Sequence, residues 1–304
     1  MSSTGAERFV EANGARLWTA RHGSGPPLVL LHGGPGLWDY FDELATLLDD
    51  LVEVHRYDQR GGGRSQRVGP YDIETFVADL EALRAHWGHE RWTVAGHSWG
   101  AALALAYAVA HPGRTEAVLH IDGTGVIDDW HEECEANADA RRTPEQRARR
   151  AELWAIVKSG GTLAPELDRE YCVLTWMADY AGRARAQQLA SQLLRPYRPS
   201  YDVNAALTSD WARLTGDASF VAAAARIDAP VLVVHGADDP RPARLAERLA
   251  SSLPRAELAI IPEAGHLPWV EQPERTRDVL RGFLVRAQAR EGTAIMGRGR
   301  EDAN

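Results

Sequence analysis

The residue types best able to do chemistry converge on one serine. In Val94-Ala95-Gly96-His97-Ser98-Trp99-Gly100-Ala101-Ala102, a β-prone run (Trp92 to Ala95) meets an alanine-rich, helix-prone run (Ala101 to Ala110), with Gly-x-Ser-x-Gly at the joint. A serine on so sharp a strand-to-helix turn is held at strained backbone angles, and glycines on either side keep its neighbours from clashing. Its hydroxyl then stands clear of the strand. The N–H groups of the helix start point to the same place, where a developing oxyanion could be held. Ser98 is therefore the candidate nucleophile.

A hydroxyl is a weak nucleophile near neutral pH, so Ser98 needs a base within hydrogen-bond reach, and that base needs an acceptor to fix its tautomer. His266, in Ile260-Ile261-Pro262-Glu263-Ala264-Gly265-His266, follows the last apolar strand-like run and is the candidate base. Val234-His235-Gly236-Ala237-Asp238-Asp239-Pro240 places two carboxylates after the preceding run. Asp239 is the candidate orienting acid, Asp238 its nearest competitor, and Asp122, past another strand end, a third. Taken singly, His266 reads as an ordinary loop histidine and Asp239 as a helix cap. Together, a serine, an acid and a histidine in that order at successive strand ends read as a triad for acyl transfer. His97, beside the nucleophile, is expected to pack into the core.

An oxyanion requires two converging donors. The backbone N–H of Trp99 is one. The loop His32-Gly33-Gly34-Pro35-Gly36 is expected to supply the other from Gly34, since Pro35 has no N–H. No Gly-Lys-Ser/Thr follows this loop, which argues against a phosphate cradle. This chemistry calls for no metal and no organic cofactor.

The elements that must carry these residues are legible as an alternation. Apolar runs at Pro27–Leu31, Val52–Tyr57, Trp92–Ala95, Ala117–Ile121, Pro230–His235 and Ala256–Ile261 read as buried strands. Between them lie helical patterns at Tyr40–Asp49, Tyr71–Trp87, Ala101–Ala110, Ala243–Leu253 and Glu274–Gln288. Such alternation implies an α/β fold with a doubly wound, mostly parallel sheet. Ahead of it, Asn13-Gly14 joins two short extended runs, a hairpin signal. From about Val126 to Arg226 the text is helix-rich, clearest at Arg141–Val157 and Arg183–Leu194, and is expected to be a cap inserted after the sixth strand and lying over the site. The expected division is core over 1–122, cap over 123–226, core over 227–290 and a flexible tail over 291–304, with residues 1–6 disordered.

Composition narrows the setting. The chain has 304 residues, 44% of them hydrophobic and 25% charged, with a formal charge of -9. That balance argues against a nucleic-acid partner. No apolar run is long enough for a membrane span and no signal peptide is apparent, so a cytoplasmic protein is expected. Cys134 and Cys172 are expected to be free thiols. The composition leaves the oligomeric state open.

With these residues in view, the chain resembles the α/β-hydrolases, and within them the proline iminopeptidase branch. The resemblance is carried by His32-Gly33-Gly34-Pro35-Gly36, by Tyr57-Asp58-Gln59-Arg60-Gly61-Gly62-Gly63-Arg64-Ser65, by the Ser98-Trp99-Gly100 elbow and by Gly265-His266. It covers about Pro27 to Asp122 and Pro230 to Arg286. It implies a structural role for the run around Asp58 and Arg60, tying loops together beneath the site. His97 departs from the branch, which usually has glycine there. Relatives of this kind hold the substrate's free ammonium with cap glutamates; Glu132, Glu133, Glu135, Glu145, Glu152, Glu166 and Glu170 are available, and most read as solvated helix faces. Cap aromatics (Trp130, Trp154, Tyr171, Trp176, Tyr180, Tyr197, Tyr201 and Trp211) are weak candidates for an apolar pocket.

The expectation is a serine hydrolase working through an acyl-enzyme, first as an aminopeptidase or amidase releasing an N-terminal residue from a short peptide or small molecule. The alternative is an esterase or lactonase on an apolar small molecule. An acyltransferase and a non-catalytic binding protein of the same fold rank lower.

Overall fold

The computed structural model describes residues 6–126 and 129–301. The chain opens on a hairpin, β1 (Ala6–Ala12) and β2 (Ala15–His22). Asn13 and Gly14 join them at φ of 46° and 73°, the doubly positive turn whose twist matches that of the flanking strands. Then come β3 (Pro27–Leu31), α1 (Asp42–Thr46), β4 (Glu53–Tyr57), α2 (Ile73–His86), β5 (Trp92–His97), α3 (Trp99–Ala110) and β6 (Thr115–Ile121). Six α-helices follow without a strand among the described residues: α4 (His131–Ala140), α5 (Pro144–Lys158), α6 (Pro165–Trp176), α7 (Ala186–Gln192), α8 (Tyr201–Thr215) and α9 (Ala218–Ala224). The chain closes with β7 (Val231–Gly236), α10 (Arg244–Ser252), β8 (Ala256–Ile261), α11 (Pro268–Glu271) and α12 (Pro273–Glu301).

The eight strands form one sheet in the order β1-β2-β4-β3-β5-β6-β7-β8. β1 with β2 and β2 with β4 are antiparallel, and every other pairing is parallel. Parallel strands linked through helices need cover on both faces, and β3 shows the division. Val29 and Leu31 face a layer containing Phe76, Leu80 and Leu103 of α2 and α3. Leu28 and Leu30 face the opposite layer, with Leu44 of α1 and Leu280 and Phe283 of α12. Each such side chain removed from water contributes about 1.5–3 kcal/mol.

The inserted helices join both layers. Met177, Tyr180 and Leu189 enter the one with α12, while Val203, Leu207 and Phe220 enter the one with α3. At the far end, the sequence places the last helix no further than Gln288, but α12 continues to Glu301. No proline follows Pro273 to stop it, and glycines in a helix cost only about 1 kcal/mol each. The disorder expected for residues 1–6 falls outside the described residues except at Ala6, which begins β1.

Candidate active site

Ser98 stands between β5 and α3 at φ 55° and ψ -120°, a conformation that non-glycine residues adopt only when their surroundings impose it. The glycines explain how it is imposed. A Cβ on Gly96 would run into the carbonyl oxygen of Gly100, and one on Gly100 into that of Leu31 at the end of β3. The turn therefore packs backbone on backbone, and Ser98 alone between β5 and the first turn of α3 keeps partial exposure.

His266 and Asp239 lie side by side. The Nδ1 of His266 lies 2.6 Å from Oδ2 of Asp239, and both residues are buried. With Nδ1–H given to the carboxylate, Nε2 is the nitrogen left to accept a proton. Asp238 is exposed, and its N–H bonds to the carbonyl of Ala264 at 2.8 Å. Burial works to raise the Asp239 carboxyl, but His266 and Arg241 beside it outweigh that and hold it well below the usual carboxylate range.

Asp122, the third candidate, lies behind the pair rather than in it. Its Oδ1 accepts from the N–H of Gly236 at 2.7 Å, and it groups with His235 and Asp239 within 4.8 Å. Burial first, and the charge of Asp239 next, push its carboxyl well above the ordinary value. Its Oδ2 has no hydrogen-bond partner within 3.5 Å among the described residues.

Several residues that organise the site escaped the sequence reading. His97 is buried as expected, yet it is a connector: Nδ1 meets the Tyr40 hydroxyl at 2.6 Å and Nε2 meets the carbonyl oxygen of His266 at 2.7 Å. Only one tautomer serves both contacts. Nε2–H donates to the carbonyl, Nδ1 accepts from Tyr40 O–H, and the Tyr40 oxygen accepts the Gly33 N–H at 2.6 Å. Burial, with His266 adding to it, lowers the His97 imidazole well below its usual range, so the ring stays neutral. Gly33 has thus committed its N–H, which leaves Gly34 as the loop's candidate oxyanion donor. Gln59 joins the two candidate arms: its Nε2 donates to the His32 carbonyl at 2.7 Å, and its Oε1 accepts from the Trp99 indole at 3.0 Å. Arg241 bridges Oδ1 of Asp239 at 3.1 Å and Oδ1 of Asp179 at 2.8 Å. Nothing in residue spacing signals these partners, which lie on separate elements and loops.

The run after β4 ties loops together. Asp58 accepts from the N–H groups of Asp39 and Arg64, each at 2.7 Å, and Arg60 joins Asp79 of α2 to the carbonyl of Asn13. Among the inserted helices, Glu133, Glu135, Glu152 and Glu170 are paired with Arg244, Arg150 and Arg149. Trp211 sets its ring edge-on to Trp99 at 6.4 Å, whereas Trp176 and Tyr197 pack on Trp38 and Trp154 stacks on Tyr171. Cys134 and Cys172 are free thiols.

This elbow, sheet order and acid–histidine pair define a class. Residues 26–273 match the family described as alpha/beta hydrolase fold, and the chain belongs to it. Within that family it is similar to a proline iminopeptidase of Xanthomonas citri, 30% identical over 294 residues that span 84% of this chain and 88% of that one. Other curated relatives bearing the proline iminopeptidase name match more strongly but locally, and the chain spans about a third of their length. Among solved structures, an esterase from Thermogutta terrifontis superposes with a TM-score of 0.70 at 24% identity, covering 93% of this chain and 99% of that one. The proline iminopeptidase of Mycobacterium smegmatis does so at 0.65 and 21%, covering 94% and 100%. These likenesses show the fold. No helix among the described residues is long and apolar enough to cross a membrane.

Proposed function

We propose that the chain is a serine hydrolase that forms an acyl-enzyme on Ser98. The observation that carries this is the 2.6 Å contact between His266 and Asp239, joined to an elbow serine at φ 55°. Ser98 Oγ attacks the substrate carbonyl while His266 Nε2 takes its proton, and Asp239 stabilises the imidazolium that results. The N–H groups of Gly34 and Trp99 receive the oxyanion, each worth about 10²–10³ in rate. His266 then returns the proton to the leaving group. Water, deprotonated by the same nitrogen, releases the acyl group and frees Ser98.

The preferred substrate is an N-terminal residue, proline above all, on a short peptide or amide. The near-full-length similarity to the Xanthomonas citri protein supports this reading. A second reading, an esterase or lactonase for an apolar small molecule, is favoured by one feature: four cap glutamates are spent on arginines and an ammonium buried without a carboxylate is costly. In either case residues 123–226 act as the lid. The two free thiols support a cytoplasmic setting.

The test compares a prolyl arylamide with a free amine, its N-acylated form and a short-chain aryl ester, with Ser98→Ala as blank. Preference for the free amine supports the aminopeptidase. Ester turnover without arylamide cleavage supports the second reading.

A further inference from the structure

At the amino-terminal end of the parallel strands, opposite the end that carries Ser98, three side chains converge. Glu53 and His55 lie on β4, where Glu53 is in register with Pro27 at the start of β3, and His89 lies in the connection from α2 to β5. The Nε2 atoms of His55 and His89 are 2.9 Å apart, and Oε2 of Glu53 is 3.2 Å from the first and 3.5 Å from the second. From this convergence we infer a binding site for a divalent transition-metal ion of the zinc class, held by Glu53, His55 and His89.

Protons cannot satisfy this triangle. If both Nε2 atoms carry hydrogen to serve the carboxylate, two N–H groups collide across 2.9 Å. If one ring donates to the other, the acceptor's lone pair faces the Glu53 carboxylate. A cation among the three atoms turns every contact favourable. Nitrogen and oxygen ligands about 2.0–2.2 Å from a tetrahedral zinc lie roughly 3.3–3.6 Å from one another, near the two separations from Glu53, while the imidazole pair is closer together.

The surroundings suit the role. The other carboxylate oxygen of Glu53 is held by Arg21 at 3.3 Å. Trp87 stacks on His55 at 4.2 Å and fixes its plane. His55 is fully buried, while the side chains of His89 and Glu53 keep 17% and 20% exposure, an open side for a water as fourth ligand. His55 Nδ1 has no hydrogen-bond partner among the described residues, and lacking that orienting bond weakens a site by about 10–100-fold. The ion would join β4 to the loop that leads into β5, a structural role.

The full-length, untagged chain is stripped with a chelator and titrated with zinc against a chromogenic competitor, then with cobalt(II) followed by visible absorption. Binding of one equivalent is expected, with tetrahedral cobalt bands, a zinc-dependent rise in melting temperature, and at least about tenfold weaker affinity in both His89→Ala and Glu53→Gln. Metal-free variants melting near the parent certify their folds. Parent affinity no greater than that of folded His89→Ala, or of Glu53→Gln where His89→Ala does not fold, would overturn the assignment.

Discussion

The Nε2 of His97 lies 2.7 Å from the carbonyl oxygen of His266, so the residue before Ser98 holds the loop that carries His266. Its other nitrogen reaches, through Tyr40, the N–H of Gly33. One imidazole thus registers the elbow, His266 and the loop of Gly33 and Gly34 against one another. A glycine at position 97 could not make these contacts.

Tyr40→Phe removes one hydroxyl and leaves two buried groups, Gly33 N–H and His97 Nδ1, without partners. Each costs about 1–3 kcal/mol. Denaturant unfolding should show a loss of roughly 2 kcal/mol or more, and kcat should fall more than KM rises, because the misplaced groups act in the transition state. Unchanged stability and kcat would mean that the chain of contacts is idle.

Asp239→Asn keeps the shape but favours the wrong His266 tautomer. Turnover should drop on the order of 10³–10⁴, while Asp238→Asn, altering an exposed side chain, should stay near the parent. Steady-state kinetics of the two variants decide the acid, and the reverse ranking would displace Asp239.

Asp122→Asn should stabilise the protein in a pH-dependent way. A carboxyl raised in the folded state contributes fully below its unfolded value, about 3.9, and that contribution is lost as pH rises towards the folded value. Asparagine has no such proton to lose, still accepts from Gly236 and can donate to Asp239. Melting curves should therefore coincide near pH 4 and diverge in favour of the variant as pH rises through 5 to 8, with activity changed only a few-fold. A variant less stable at every pH would contradict a protonated Asp122.

Local patterns carried most of the fold. Continuous apolar runs marked the parallel strands because both faces are covered, and Asn13-Gly14 marked the hairpin because few residues accept its two positive φ values. The elbow was legible since Gly96 and Gly100 answer a steric demand within one turn. The partners of His97 were not: one is a backbone carbonyl 169 residues away, and a carbonyl has no sequence identity to read. Gln59 and Arg241 each join two separate segments of the chain, which neither periodicity nor spacing encodes. The reach of α12 was missed because glycines weaken a helix without forbidding it.

The most direct test of Ser98 as nucleophile is covalent labelling. The chain is treated with a fluorophosphonate, and its intact mass and peptide map are measured beside Ser98→Ala. One adduct per chain, on Ser98 and absent from the variant, is the expected result. A folded parent that takes up no adduct, or takes it up equally in Ser98→Ala, would contradict the acyl-enzyme mechanism.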